Sequence, residues 1–505
     1  MATHTDHSTS KRQQGLLRTK SIEQSIQDTE EPEHALKKSL SALDLTVFGV
    51  GVVIGSGIFV ITGTAAKNYA GPAVTLAFVV AAVVCALAAL CYAEFASTVP
   101  VAGSAYTFSY ASLGEFPAWI IGWDLVLELA LGCATVAVGW SGYAQSLLDS
   151  WGIPLPTKLQ GPPADGGFGF NIAAFLLILA VTAVIVVGMK LSAMVTSVVV
   201  TIKVIVVLIV IAVGAFLVNG SNYHPFIPPS QETKGASGLN STLLEAVFGF
   251  TPTSFGFMGI FTAAAVVFFA YIGFDVVATA AEETRNPQKD IPRGILGSLL
   301  ICTILYVAVA IVVTGMQKYT DLDSEAPLSE AFKSVGHPFW AGLINFGAII
   351  GLVTVCMILL MGQSRVFFAM SRDGLLPPLF SHVHPKFRTP YRSTLILGLI
   401  SALVAGFVSL DELSKLVNIG TLFAFVVVAL GVIILRRTRP DLPRNFKAPW
   451  VPVLPVLSVA CSVWLMLNLS VETWLRFAIW MAVGVVIYFS YGRKHSHLAR
   501  ARNSR

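Results

Sequence analysis

Three glycines in seven residues, Gly51, Gly55 and Gly57, interrupt the apolar run GVVIGSGIF between Gly51 and Phe59. A glycine in a helix interior costs on the order of 1 kcal/mol relative to alanine, so this run predicts a helix that stops and resumes. The N–H groups that open the second half of such a helix have no partners one turn back. They sit at the positive end of the half-helix dipole, where a carboxylate is favoured. The last carbonyls of the first half, around Val53 and Ile54, face the same gap and suit an ammonium. Those are the two charged ends of a zwitterionic amino acid. The same small residues would also suit simple close packing of two helices, so the run alone leaves both readings open.

A second irregular stretch, AAVVFFAYIGFDVVATAAEETRNPQKDIPRG, carries Gly273 in its middle and Asp275 two residues later. A carboxylate deep in a bilayer costs roughly 2.5 to 3.5 kcal/mol on insertion scales, so Asp275 either serves a site or satisfies backbone N–H groups freed by a break. Lys203 lies in VTSVVVTIKVIVVLIVIAVG, at least eight residues from either end of its apolar stretch. An ammonium removed from water loses solvation of its charge, which makes Lys203 the candidate proton-coupling residue and a partner for the geometry of Gly55 to Gly57. Asp124 and Glu128 are four apart and share one helix face.

These residues need a frame that holds them at mid-membrane. Apolar residues make up 55% of the 505-residue chain and charged residues 12%, against roughly 25% charged in ordinary soluble domains, and the mean hydropathy is +0.74. The expected fold is an all-α integral membrane protein. Apolar stretches at 43–66, 73–97, 118–146, 171–188, 193–218, 256–281, 294–316, 338–368, 393–410, 414–435, 450–469 and 473–492 give about twelve transmembrane helices, each near the roughly 20 residues that cross the hydrocarbon core. The expected domains are a polar N-terminal tail over 1–42, a transporter domain over 43–492 and a basic tail over 493–505. Of the 33 Lys and Arg residues, 25 fall in segments on the same side of the membrane as the N terminus, 7 on the opposite side and Lys203 inside a span, which sets both termini in the cytoplasm. Stretches one and six are five apart, so one to five and six to ten would be halves of opposite topology. Broken helices at matching positions of two such halves point to a central transport site.

The phrases IGSGIF, CYAEFASTVPVAGSAYTFSY (91–110), GWDLVLEL (122–129), FFAYIGFD (268–275), EETRNPQKDIPRGI (282–295) and MGQSRVFFAMSRDGLLP (361–377) resemble the amino acid, polyamine and organocation transporters, most closely their cationic amino acid branch. The resemblance implies a five-plus-five inverted repeat over helices one to ten, with helices one and six broken. It implies that Gly55, Ser56 and Gly57 form the carboxylate side of the site, that carbonyls of Val53, Ile54, Phe269 and Ile272 take the ammonium, and that the Phe269 ring is a gate. It also implies that Glu128 looks toward the substrate side chain and that Lys203 contacts the first break. Leu129 stands where the phrase commonly has tyrosine, which leaves side-chain preference open. Asp124 is expected to anchor its helix near the cytosolic interface. Glu94, Glu282 and Glu283, with Arg285, Arg365 and Arg372 nearby in the sequence pattern, are expected to form an intracellular gate of ion pairs.

Several classes fall away. The six cysteines lie inside apolar stretches with no CxxC pair and no His-bearing cluster, so neither disulfides nor a metal site is expected, and no cofactor is assigned. No phosphate-cradling GxxxxGKS loop is present, and no nucleophile, base and orienter set suggests an enzyme. The basic clusters are explained by topology, without nucleic acid. The expected function is proton-coupled transport of cationic or small neutral L-amino acids across the plasma membrane by alternating access, with an exchanger or a non-transporting sensor as the alternatives. The expected partners are the amino acid, protons and membrane lipids. A small accessory membrane subunit is left open.

Overall fold

The computed structural model describes residues 40–98, 104–162, 169–188, 193–232, 238–249, 253–278, 284–322, 325–387 and 389–497. Each of the twelve apolar stretches contains helix. The long elements are α1 (Ala42–Val53), α2 (Val74–Thr98), α3 (Ser104–Ser112), α4 (Glu115–Ser150), α5 (Ile172–Val186), α6 (Ala193–Ala215), α7 (Gly256–Val267), α8 (Pro287–Met316), α9 (Pro327–Ser334), α10 (Pro338–Arg372), α11 (Tyr391–Phe407), α12 (Leu410–Thr438), α13 (Val453–Leu467) and α14 (Val471–Ile487). Among the described residues, eight helical segments are long and apolar enough to cross a membrane, while Ala42–Val53, Ile172–Val186, Tyr391–Phe407 and Val453–Leu467 are shorter apolar helices. The chain is a multi-pass membrane protein.

Local chemistry starts these helices where the sequence changes character. Ser41 and Asp44 form a reciprocal capping box at α1, with the Ser41 amide donating to Asp44 Oδ2 at 2.9 Å. Proline occupies the first turn of α8, α9 and α10, where its missing N–H has no ladder partner to lose. Sequence patterning missed α3, α9 and a six-residue helix, Leu243–Phe248, within the polar 219–255 segment. The last of these is set by a Thr242–Glu245 capping box. The same segment adds a two-residue antiparallel pair, β1 (Gln231–Glu232) with β2 (Thr253–Ser254).

The longest helices, α4 and α10, pack side by side and with α12 wall the space around the broken α1 and α7. The C-terminal α14 is fastened to α4 by tryptophans. Trp123 stacks on Trp480 at 4.4 Å, each indole N–H donates to the other residue's carbonyl, and Trp119 donates to the Gly484 carbonyl.

Candidate functional site

Helix α1 ends at Val53. Ile54 leaves the helical region (φ −70°, ψ 90°) and bends with Gly55, Ser56 is back in the helical region (φ −59°, ψ −19°), and Gly57 opens a wide π-type turn through Ile61. The carbonyls released at the end of α1 are met by side chains from elsewhere. Lys203 Nζ donates to the Gly51 carbonyl at 2.6 Å and the Ile54 carbonyl at 3.2 Å, and the Tyr306 hydroxyl donates to the Val53 carbonyl at 2.6 Å. Lys203 is only 1% exposed. Its aliphatic stem runs along Gly351 of α10, where a Cβ would stand 2.7 Å from Lys203 Cγ. Lys203 therefore touches the first break, at its rear rather than in the gap.

The second break is built differently. Helix α7 tightens into a 3₁₀ turn over Phe268–Tyr271, Ile272 turns extended (ψ 136°), and Gly273 takes φ +114°, a region that favours glycine. Asn418 of α12 donates its amide to the Ala265 carbonyl at 2.6 Å and the Val266 carbonyl at 3.1 Å. The Asp275 carboxylate lies beside the amides of Gly273, Asp275 and Val276. Of the two uses expected for Asp275, the geometry is that of a carboxylate capping freed N–H groups.

Glycine brings the two breaks together. A Cβ on Gly57 would stand 2.2 Å from Ala270 Cα, and one on Gly273 would stand 2.7 Å from Val52 Cγ1. Beside this contact lies a small cavity lined by Val52, Val53, Gly55, Ser56, Gly57, Glu128, Leu129, Gly132, Val136, Phe269, Ile272, Val276, Val355 and Leu359. Seven of the residues singled out in the sequence meet there: Val53, Gly55, Ser56, Gly57, Glu128, Phe269 and Ile272. Ile54, Lys203 and Asp275 stand behind the wall. Ser56 is fully buried, and its hydroxyl is without a partner among the described residues. The first amides of the resumed helix have no ladder partners. One side of the cavity thus offers unused donors. Glu128 is 3% exposed and lies beside Thr421 of α12, whose hydroxyl donates to the Val417 carbonyl at 3.1 Å.

Two expectations need correcting. Asp124 is not an interfacial anchor: it is fully buried against Gly420 of α12, and neither carboxylate oxygen has a hydrogen-bond partner among the described residues. Glu94 pairs neither with Arg285 nor with Arg365 or Arg372. Its carboxylate takes a two-pronged contact from Arg436 (2.8 and 2.6 Å), the Ala448 amide at 2.8 Å and Arg444 at 3.6 Å, because the end of α12 and the segment after it fold back over α2. Glu282 and Glu283 lie outside the described residues. Two free thiols lie close together, the sulfurs of Cys133 (α4) and Cys356 (α10) being 3.0 Å apart.

The sequence did not single out Tyr306, Asn418, Thr421, Gly132, Val355 or Leu359. Asn418 is a lone amide in an apolar stretch, a polarity signal that could have marked it. Val355 and Leu359 look like any other aliphatic residue until α10 is placed.

The family model described as "Amino acid permease" matches residues 40–489. The chain belongs to the amino acid permease family. This permease is 50% identical to the "Branched-chain amino acid permease BcaP" of Bacillus subtilis (strain 168), over 96% of this chain and 99% of that protein. It is 46% identical to the "Methylthioribose transporter" of the same organism, over 92% and 95% respectively. It is 32% identical to the vacuolar "Cationic amino acid transporter 4" of Arabidopsis thaliana, over 96% and 97%. The permease is a transporter of the amino acid, polyamine and organocation superfamily, related to its cationic branch, and not an enzyme.

Proposed function

We propose that this permease carries branched aliphatic L-amino acids across the plasma membrane by alternating access, driven by protons. The observation that carries the proposal is the cavity where both helices break. Its donor side, at Ser56 and Gly57, binds the α-carboxylate. The remaining lone pair of the Val53 carbonyl, with the carbonyls of Phe269 and Ile272, binds the α-ammonium, and the Phe269 ring closes over the substrate. The side chain then lies among Leu129, Val136, Val355 and Leu359, an aliphatic wall that favours a branched hydrocarbon through burial of apolar surface. The name of the Bacillus subtilis BcaP relative supports the same class.

Proton coupling is assigned to Lys203, whose Nζ joins two carbonyls on either side of the bend. Loss of its proton weakens that clasp and so links protonation to the geometry of the break. Ala42–Val53 with the start of the Gly57–Thr98 segment makes the first span and the rest of that segment the second; the other seven long segments and three shorter apolar helices bring the spans to twelve, with the first ten as a five-plus-five inverted repeat and both termini cytoplasmic.

A cationic substrate is the second reading, favoured by Glu128 in the cavity wall. Purified protein in liposomes separates the two. Leucine, isoleucine and valine should stabilise it against heat by roughly 2.7 kcal/mol at 100 times their dissociation constants, and labelled leucine should accumulate under an imposed inward proton gradient. Stabilisation by arginine and lysine alone would select the second reading. Stabilisation by methylthioribose alone would remove both. Binding without flux would indicate a sensor, and uptake that requires amino acid inside the liposome would indicate an exchanger.

A further inference from the structure

Cys133 and Cys356 lie on the two longest helices, α4 and α10, with their sulfurs in contact at 3.0 Å. Each thiol also points toward the other residue's backbone: Cys133 Sγ is 3.6 Å from the Cys356 carbonyl and Cys356 Sγ is 3.9 Å from the Cys133 carbonyl. Both are fully buried and both are free thiols. The residues just before them in the chain, Gly132 and Val355, line the cavity, as do Val136 and Leu359 about one turn further on. Among the described residues, no sulfur–sulfur contact joins Cys85, Cys91, Cys302 or Cys461 to another cysteine.

We infer that Cys133 and Cys356 form an oxidisable dithiol site, closed by a two-electron oxidant of the peroxide class into a disulfide that staples α4 to α10 beside the substrate cavity and arrests transport. A disulfide needs its sulfurs at roughly 2.05 Å, an approach of about 1 Å from the observed contact. The chemistry balances with the peroxide as the only co-reactant. One thiol attacks the O–O bond and becomes a sulfenic acid with release of water. The second thiol then displaces its hydroxyl as another water, so that two sulfurs supply the two electrons and both thiol protons leave in water. The cavity brings small solutes to the residues next to both thiols. The resulting bond fixes the wall formed by Gly132, Val136, Val355 and Leu359 in one arrangement, while alternating access requires the lining of the site to rearrange.

This inference rests on the transport reading for its effect on flux, but its chemistry is read without any substrate. Protein reconstituted in liposomes is treated with hydrogen peroxide, then digested without reduction and mapped by mass spectrometry. The expected result is a cross-link between the segments bearing Cys133 and Cys356. Leucine uptake should fall in proportion to the cross-linked fraction, because a transporter held in one arrangement does not turn over. Dithiothreitol should restore it. Cys133→Ala and Cys356→Ala should each keep their uptake under peroxide. Absence of the 133–356 link, or a link with unchanged uptake, would overturn the inference. If untreated protein carries no leucine at all, the transport reading fails, while the cross-link map still decides whether the dithiol site exists.

Discussion

Gly57→Ala tests the paired breaks most directly. A Cβ at position 57 would stand 2.2 Å from Ala270 Cα, 2.5 Å from its Cβ and 2.9 Å from its nitrogen. Two of those atoms are backbone, so no rotamer change relieves the clash. Carbon atoms in contact sit roughly 3.5 Å apart, so the two breaks must separate by about 1.3 Å, the difference between that value and 2.2 Å. Overpacking of a filled interior costs about 1 to 3 kcal/mol. Here the displacement falls on the groups proposed to hold the substrate, so the half-saturation concentration for leucine should rise between about fivefold and about 150-fold. Gly55→Ala is the internal control. Its nearest atom would be Val355 Cγ1 at 3.5 Å, an ordinary contact, and its φ lies outside the left-handed region. Initial uptake rates over a leucine concentration series in proteoliposomes measure both variants, with the thermal midpoint in detergent to show that each is folded. Unchanged transport by Gly57→Ala, or equal damage from Gly55→Ala, would refute the packing argument.

The remaining predictions address other parts of the site. Lys203→Met removes both donations to the bend and should abolish accumulation under a pH gradient while leaving downhill flux measurable; full uphill accumulation would sink the coupling role. Gly132→Val pushes a side chain toward Leu359, whose Cδ1 would already lie 3.4 Å from a Cβ at that position, and should weaken leucine binding about tenfold, near the worth of one or two buried methylenes, with alanine spared; competition assays that find both substrates equally affected would exclude Gly132 as part of the side-chain wall. Glu94→Ala leaves Arg436 and Arg444 without their carboxylate. Because the Arg436 side chain keeps 27% exposure, the loss should be about 2 to 3 kcal/mol, below the usual range for breaking a fully buried pair, seen as a lowered thermal midpoint; an unchanged midpoint would show that water replaces the pair.

The helices were legible because hydropathy and glycine act locally. The end of α1 at Val53 and the turn at Gly273 fall where the glycine pattern places them, since the conformational cost of glycine is paid within its own turn. Long-range partners were not legible in the same way. Glu94 could have met any basic group at its end of the bundle. Arg436 wins because α12 and the segment reaching Ala448 fold over α2, a tertiary fact with no trace in spacing. Asp124 illustrates the converse: an acidic residue four before Glu128 suggests an interface, and only the approach of Gly420 reveals that it is enclosed. Cys133 and Cys356 are more than two hundred residues apart, and nothing but the α4–α10 packing could have paired them.

The released backbone at the first break is supplied unequally. Gly51, Val53 and Ile54 all find internal donors in Lys203 and Tyr306, while the Ser56 hydroxyl finds no acceptor among the described residues and the amides beside it open a helix with no ladder partners. The fold therefore answers its own acceptors and leaves its donors for a guest. A carboxylate is the part of an arriving solute that this asymmetry selects first, and the ammonium joins a flank already at rest.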